Sequence, residues 1–321
     1  MRYKRCRFPD RSGIGVSAIG FGASALGGVF GEVKESRAIK AVHAALDCGI
    51  NYFDVAPAYG QTRSETVLGK ALKGIPRDRY LLSTKAGKQA TPGGYAADVF
   101  DFSRSGILKS LDESRERLGV DYFDIVHLHD IEYDGGQLVE QALSEGLEAL
   151  AGLKQKGEIG GVSVGTYPIE LCRRIIRDCP VDTIMIHNHY CLNDTMMLDL
   201  VPLAKEKGVG LINASPFAMG LLSDREAPFW HPAKESERDR FRQAADFCRS
   251  RGTTISKLAI QFSTRNPDIP ITVFSTSRPE AVKLNIEWAN HPYDPVLVED
   301  VQRLLGPLFN KDWDFANTIG R

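Results

Sequence analysis

Four side chains of this 321-residue chain could move a proton together: Asp54, Tyr59, Lys85 and His129. A phenol ionises near pH ~10, too high for base work at neutral pH. An ammonium beside it favours the phenolate, and a carboxylate can hold that ammonium in place. A tyrosine so supported can carry a proton to or from a substrate oxygen while an imidazole orients that oxygen. The stretch NYFDVAPAYGQTRSE, Asn51 to Glu65, sets Asp54 at the end of an apolar run and Tyr59 on the turn that follows. Asp, Pro and Gly make turns unaided, and Tyr often plugs one, so this stretch alone reads equally well as a plain turn. Lys85 alone could be a surface lysine, and His129 alone a core histidine. Their joint placement is what argues for chemistry.

That placement follows from the surrounding elements. Short apolar runs alternate with amphipathic segments along nearly the whole chain. AIGFGAS (Ala18 to Ser24) reads as a strand, and the helix after it carries Ile39, Val42, Ala45 and Leu46 at helical spacing and stops at Gly49. INYFD, RYLLSTK, YFDIVHLH, IGGVSVG, TIMIHNH, VGLINASP and IPITVFS are the later strands, each followed by a helical pattern. The pattern after TIMIHNH is TMMLDLVPLAKEKG, with Pro202 inside it. Alternating strand and helix argues for a parallel sheet. Roughly eight such units without a composition break predict one (β/α)8 TIM barrel domain over residues 1–321, with an N-terminal β-hairpin in YKRCRFPDRSGIGVSA. Chemistry in such a barrel sits at the C-terminal ends of the strands. Asp54 ends the second strand, Lys85 the third and His129 the fourth, while Tyr59 lies on the loop after the second. Two loops at that face are long: AGKQATPGGYAADVFDF after the third strand, and FAMGLLSDREAPFWHPAKESERD after the seventh. Long loops in a compact domain usually serve as lids or binding loops.

Composition narrows the partners. With 40 basic and 41 acidic residues and a net charge of -1, nothing favours a polyanion, so no nucleic acid is expected. No apolar run approaches the ~20 residues that cross a bilayer. The basic start, MRYKRCRFPDRSG, lacks the apolar stretch of a signal peptide. Cys6, Cys48, Cys172, Cys179, Cys191 and Cys248 are scattered and form no CxxC pair. Reduced thiols and a cytoplasmic location are the expectation.

DVAPAYG, then SETVLGKAL, STK and DYFDIVHLHD, resemble the pattern of the aldo-keto reductase family over nearly the whole chain. The resemblance implies a catalytic tetrad of Asp54, Tyr59, Lys85 and His129 and a nicotinamide cofactor bound without a Rossmann fold. FGASALGGVFG, HNHY, INASPFAMGLLS and WHPA are similar to the L-galactose dehydrogenase-like branch, whose members oxidise an aldose at C1 to a lactone with NAD. Only a partial glycine spacing, GFGASALGG with Gly22, stands after the first strand. SPFAMGLLS, with Ser215, Pro216, Gly220 and Leu221, resembles the pyrophosphate loop, where backbone amides would approach phosphate. STSRPEAVKLN, with Ser275, Ser277, Arg278 and Asn285, resembles the segment around adenosine. Three positions depart from the family. Its Ser-Asn after strand five is Ser163-Val164 here, its Gln on strand six aligns with Ile186, and its Tyr after strand seven is Ala214. His189 or Tyr190 would take over some of the nicotinamide contacts. With one cation, Arg278, well placed for a 2′-phosphate and Lys283 about a turn into a helix, NAD is preferred over NADP. Trp230 would line the sugar site with Tyr59 and His129.

Other readings compete. A broad NADPH-dependent aldehyde or ketone reductase would share the whole tetrad. HLHD and HNH each place two histidines at i and i+2, so His127, His129, His187 and His189 could form a metal cluster of a hydrolase. No strand end supplies the further carboxylate such a site needs, so no metal is expected. A non-catalytic nucleotide sensor would have little reason to keep a complete tetrad.

Overall fold

The computed structural model describes residues 3–4, 15–89, 91, 99–228 and 230–313. A short antiparallel pair, β1 (Tyr3–Lys4) with β2 (Val16–Ser17), precedes the barrel, as the N-terminal hairpin reading requires; the residues joining the two strands lie outside the described ones. Eight parallel strands then close on themselves in chain order. They are β3 (Ile19–Gly22), β4 (Tyr52–Asp54), β5 (Leu81–Ala86), β8 (Phe123–His129), β9 (Ile159–Thr166), β10 (Thr183–His187), β11 (Gly210–Ala214) and β12 (Ile271–Ser275). An antiparallel pair, β6 (Lys88–Gln89) with β7 (Val99–Phe100), occupies the first long loop. This is the (β/α)8 barrel expected.

The helices between barrel strands are α1 (Glu35–Asp47), α2 (Arg63–Leu72), α3 (Arg104–Leu118), α4 (Val139–Gln141), α5 (Leu147–Gln155), α6 (Ile169–Asp178), α7 (Val201–Lys207), α8 (Glu235–Ser250) and α9 (Ile255–Ser263). After β12 come α10 (Pro279–Asn290) and α11 (Pro295–Leu304). Each strand alternates between two apolar environments. Val126 and Leu128 face the main core between barrel and helices, while Ile125 joins Tyr52, Met185, Ile212, Ile271 and Val273 in the barrel interior. Burial on both faces is why these strands read as continuous apolar runs.

Three elements differ from expectation. Pro202 stands in the first turn of α7, not inside a helix, because the residues before it, Met196–Leu200, form a 3-10 turn. A proline lacks an N–H, which the first helical turn does not need. Helix α8 starts inside what reads as polar loop; its Phe241, Ala244, Ala245 and Cys248 are buried at helical spacing. Helix α11 was not anticipated, although Asp294 caps it by accepting from the Leu297 N–H (3.0 Å) and Pro295 opens it. Together α8, α9 and α11 build a second core with Tyr167, Leu221, Leu222 and Trp313. That core anchors the loops on one side of the barrel mouth.

Candidate active site

Strand register levels the candidate residues at one end of the barrel. Gly22 pairs with Asp54, Asp54 with Ser83, Lys85 with His127, and His129 with Gly165. Lys85 Nζ lies 2.5 Å from Asp54 Oδ2 and donates to the Val55 carbonyl at 3.0 Å. Ser83 Oγ donates to the other carboxylate oxygen of Asp54 at 2.8 Å. Lysine and aspartate are almost fully buried, so each charge depends on the other. Above them the Lys85 ammonium stands 4.8 Å from the centre of the Tyr59 ring, and His129 meets the same ring edge-on at 5.7 Å.

Tyr59 owes its position to two glycines. It sits on the turn after β4, where Gly60 takes φ +60° and packs on the backbone of Gly27. A Cβ at Gly60 would fall 2.2 Å from the Gly27 carbonyl oxygen, and one at Gly27 would fall 2.8 Å from the Tyr59 carbonyl. Neither position has room for a side chain. The residue types of ALGG and AYG therefore bring the phenol over the lysine.

The electrostatics separate the four roles. Burial, with Asp54 and Asp130, raises the Tyr59 phenol well above its ordinary range. Burial is the largest cause of this rise, and the two carboxylates add to it. Tyr59 is thus a proton donor in this structure, and it needs a positive charge nearby to become a base. Burial pushes the His129 imidazole down to about 3; Asp130 opposes this, and Lys88 and Lys85 add to it. His129 is neutral at physiological pH and can donate or accept a hydrogen bond without carrying charge.

The structure does not gather the four histidines into one cluster. His127 lies inside the barrel, its Nδ1 2.8 Å from Ser163 Oγ. His189 Nδ1 meets Asp194 Oδ2 at 3.1 Å, and its ring stacks on Tyr167 at 4.3 Å. Strand β10 ends at His187, and Asn188 takes φ +63°, so His187 and His189 do not share a strand face. Among the described residues, no three His, Cys, Asp or Glu converge as metal ligands.

The cofactor residues divide. Ser163 lies three residues before the end of β9 and spends its hydroxyl on the Thr183 carbonyl (2.9 Å); the residues at that strand exit are Thr166 and Tyr167. Ile186 faces the helices in the main core, and His187 is the next residue, at the strand end. A one-residue slip in alignment exchanges those faces. Ala214 packs against the barrel interior and Tyr190 against the helices. Gly22 lets β3 approach β12 closely, since a Cβ would meet Val273 at 3.1 Å. Around Ser215, Pro216, Gly220 and Leu221 the chain makes a tight turn with left-handed Ser215, Ala218, Met219 and Gly220. Its Ala218, Gly220 and Leu222 amides bond back to Ser215 and Phe217 carbonyls, so they are not presented to a phosphate here. Ser275 Oγ accepts from the Ala25 N–H at 2.9 Å and ties β12 to the turn after β3. Ser277 and Arg278 are half-buried at the start of α10, and Asn285 is buried on that helix. Arg278 Nε is buried without a hydrogen-bond partner among the described residues. Trp230 faces Phe30 across the mouth, ring centres 6.2 Å apart, and Phe229 lies outside the described residues. Arg238 of α8 holds the loop carrying Trp230 by donating to the Ala227, Pro228, His231 and Ala233 carbonyls.

Of two further groups at the mouth, Asn188 was not singled out from the sequence, whereas Asp130 opens DIEYD, a stretch that reads from the sequence as a solvated acidic loop or as polar groups for sugar hydroxyls. Asn188 is buried, and among the described residues neither its amide oxygen nor its amide nitrogen has a hydrogen-bond partner. Asp130, next to His129, forms a second ion pair with Lys88 at 2.8 Å. Each stands directly after a strand-end histidine.

The sequence profile of the Aldo/keto reductase family matches residues 18–305. This chain belongs to that family. As an aldo-keto reductase it is an oxidoreductase that works with a nicotinamide cofactor. It is 40% identical over 311 residues to L-galactose dehydrogenase of Arabidopsis thaliana, covering 94% of each chain. It is 31% identical to D-threo-aldose 1-dehydrogenase of a Pseudomonas species, covering 87% of this chain and 91% of that one. Among solved structures, an aldo-keto reductase from Bacillus halodurans in its holo form superposes with a TM-score of 0.76 at 26% identity, covering 98% of this chain and 99% of that one. None of the described helices is long and apolar enough to cross a membrane.

Proposed function

We propose that this aldo-keto reductase oxidises an aldose of the L-galactose type at C1 to the lactone, with NAD as the preferred hydride acceptor. The stack of Asp54, Lys85 and Tyr59 with His129 against the phenol edge supports the hydride-transfer chemistry, and the 40% identity to L-galactose dehydrogenase is the observation that favours an aldose. The stack supplies a held proton carrier and a neutral hydrogen-bonding partner at one point of the mouth. Both relatives named above act on aldoses by name.

In this scheme His129 and Tyr59 hold the anomeric oxygen between them. The C1–H bond breaks with its electron pair, the O–H proton passes to Tyr59, and a C1–O double bond forms. The nicotinamide, when bound and oxidised, supplies the electron-pair acceptor and the positive charge that favours phenolate. Lys85 stabilises the same anion, and Asp54 keeps Lys85 in place. The buried, unsatisfied Nε of Arg278 and the buried Asn285 suit the adenosine end of such a cofactor. The unpaired amide of Asn188 has the donor and acceptor that a primary carboxamide matches. Free thiols at Cys48, Cys172, Cys179, Cys191 and Cys248 support a reducing compartment, the cytoplasm.

The test is initial-rate kinetics with a panel of aldoses and simple aldehydes, each with NAD(H) and NADP(H). L-Galactose with NAD should give the highest kcat/KM. Activity confined to aldehyde reduction, or a strong NADP preference, would support the broad reductase instead.

A further inference from the structure

We infer that Asp130 selects substrates bearing a hydroxyl on the carbon next to the reacting one, an inference that rests on the aldose reading above. Asp130 follows His129 where β8 ends, and its φ of +50° is left-handed. Such a backbone costs energy in a residue other than glycine and concentrates at functional sites. Its carboxylate is brought back beside the catalytic histidine, with Oδ2 3.5 Å from His129 Nε2.

Lys88 Nζ binds the same oxygen at 2.8 Å. That ammonium is buried against the rings of Tyr133 and Phe100, 4.5 Å and 5.7 Å from their centres. The pair is therefore built into the wall and is not a solvated loop charge. Asp130 Oδ1, by contrast, accepts no hydrogen bond among the described residues. An ionised carboxylate is an acceptor only, so the open oxygen calls for a donor.

Reach identifies the donor. In the aldose reading the reacting oxygen binds His129 at Nε2, the ring nitrogen beside the carboxylate, which puts it within about 6 Å of Asp130 Oδ2. A hydroxyl on the adjacent carbon fits between the two and donates to the carboxylate. A substrate with hydrogen or alkyl there would strip water from the carboxylate and return nothing, which is how a polar site rejects an analogue lacking the polar group. The ligand class is thus an α-hydroxy carbonyl compound or the corresponding aldose.

The experiment compares glyceraldehyde with propanal as substrates for reduction by the full-length enzyme, alongside oxidation of L-galactose. The wild-type protein should favour glyceraldehyde by about 10- to 100-fold in kcat/KM, chiefly through KM, the scale of one hydrogen bond to a charged group. Asp130→Asn should cut that ratio by several-fold, because the charge-assisted bond is lost. The double variant Lys88→Met/Asp130→Ala removes both charges of the pair and should abolish the preference, which covers the case that Asp130→Asn fails to fold. A wild-type enzyme with no preference, or variants that lose equally on both aldehydes, would overturn the assignment. A preserved glyceraldehyde ratio in an enzyme that oxidises no aldose would sustain Asp130 while removing the aldose reading.

Discussion

Two buried lysine–carboxylate pairs flank the mouth, and they differ in what they leave open. In Asp54–Lys85 both carboxylate oxygens are occupied, one by the ammonium and one by the Ser83 hydroxyl. Side-chain exposure is 2% for the lysine and 4% for the aspartate. In Asp130–Lys88 the lysine is as deeply buried, but the aspartate keeps 13% exposure and, among the described residues, one oxygen without a hydrogen bond. The first pair grows out of two adjacent strands, so the sheet fixes its geometry. The second joins the loop after β5 to the residue after β8, so loop conformation sets it. A closed pair can only position a neighbour, here Tyr59. An open pair can also take a ligand. Burial acts on both sites but reads differently: it raises the Asp130 carboxyl, yet His129 and Lys88 outweigh it and hold the group below the ordinary carboxylate range.

Tyr59→Phe should have the largest effect on catalysis and almost none on folding. Turnover should fall by about 10²- to 10⁴-fold, the scale of lost acid–base catalysis, with an unchanged denaturation curve. Near wild-type turnover in the purified variant would remove the phenol from the mechanism.

Replacing the two lysines separates the two pairs. Lys85→Met strands a fully buried carboxylate and should cost roughly 3–5 kcal/mol of stability as well as turnover. Lys88→Met leaves Asp130 with some water, so its loss in urea denaturation should be clearly smaller. Equal losses would mean that the openness of the second pair has no energetic meaning.

Acid should unfold the protein cooperatively, and the sign follows from the buried imidazoles. Burial holds His127 well below its ordinary range, His129 at about 3, and His187 and His231 at about 4. The unfolded chain takes up these protons below about pH 6.5, and the folded one does not. Glu132 works in the opposite sense, since burial and Asp130 push it up to about 7. The net uptake on unfolding is about three protons, so stability should drop by up to about 4 kcal/mol per pH unit between about pH 6.5 and 4. A melting temperature that stays flat from pH 7 to 5 would contradict this.

Gly60→Ala tests the turn that places Tyr59. Left-handed backbone alone should cost about 1–3 kcal/mol, the clash with the Gly27 backbone should add to it, and activity should fall further than stability because Tyr59 moves. A variant with unchanged melting and unchanged kcat would show that the turn tolerates the methyl group.

The amino-acid sequence by itself determined the barrel and the order of the tetrad. Apolar runs, helical periodicity and turn residues are local properties, and eight repeats of them admit one closure. Asp54, Lys85 and His129 were legible because each ends such a run. Helices α8 and α11 were legible in principle, from Phe241, Ala244, Ala245 and Cys248 and from the Asp294-Pro295 cap, but high charge and a position beyond the regular alternation hid them. Only the tertiary structure decided the rest. Whether Ile186 or His187 faces the mouth depends on a single step of register. The upward shift of the Tyr59 phenol comes chiefly from burial, with Asp54 and the distant Asp130 adding to it, and its place over Lys85 from a contact between Gly27 and Gly60, 33 residues apart in sequence. The partnership of Asp130 with Lys88 joins residues 42 positions apart, and no local pattern records which loop side chains the closed barrel brings together.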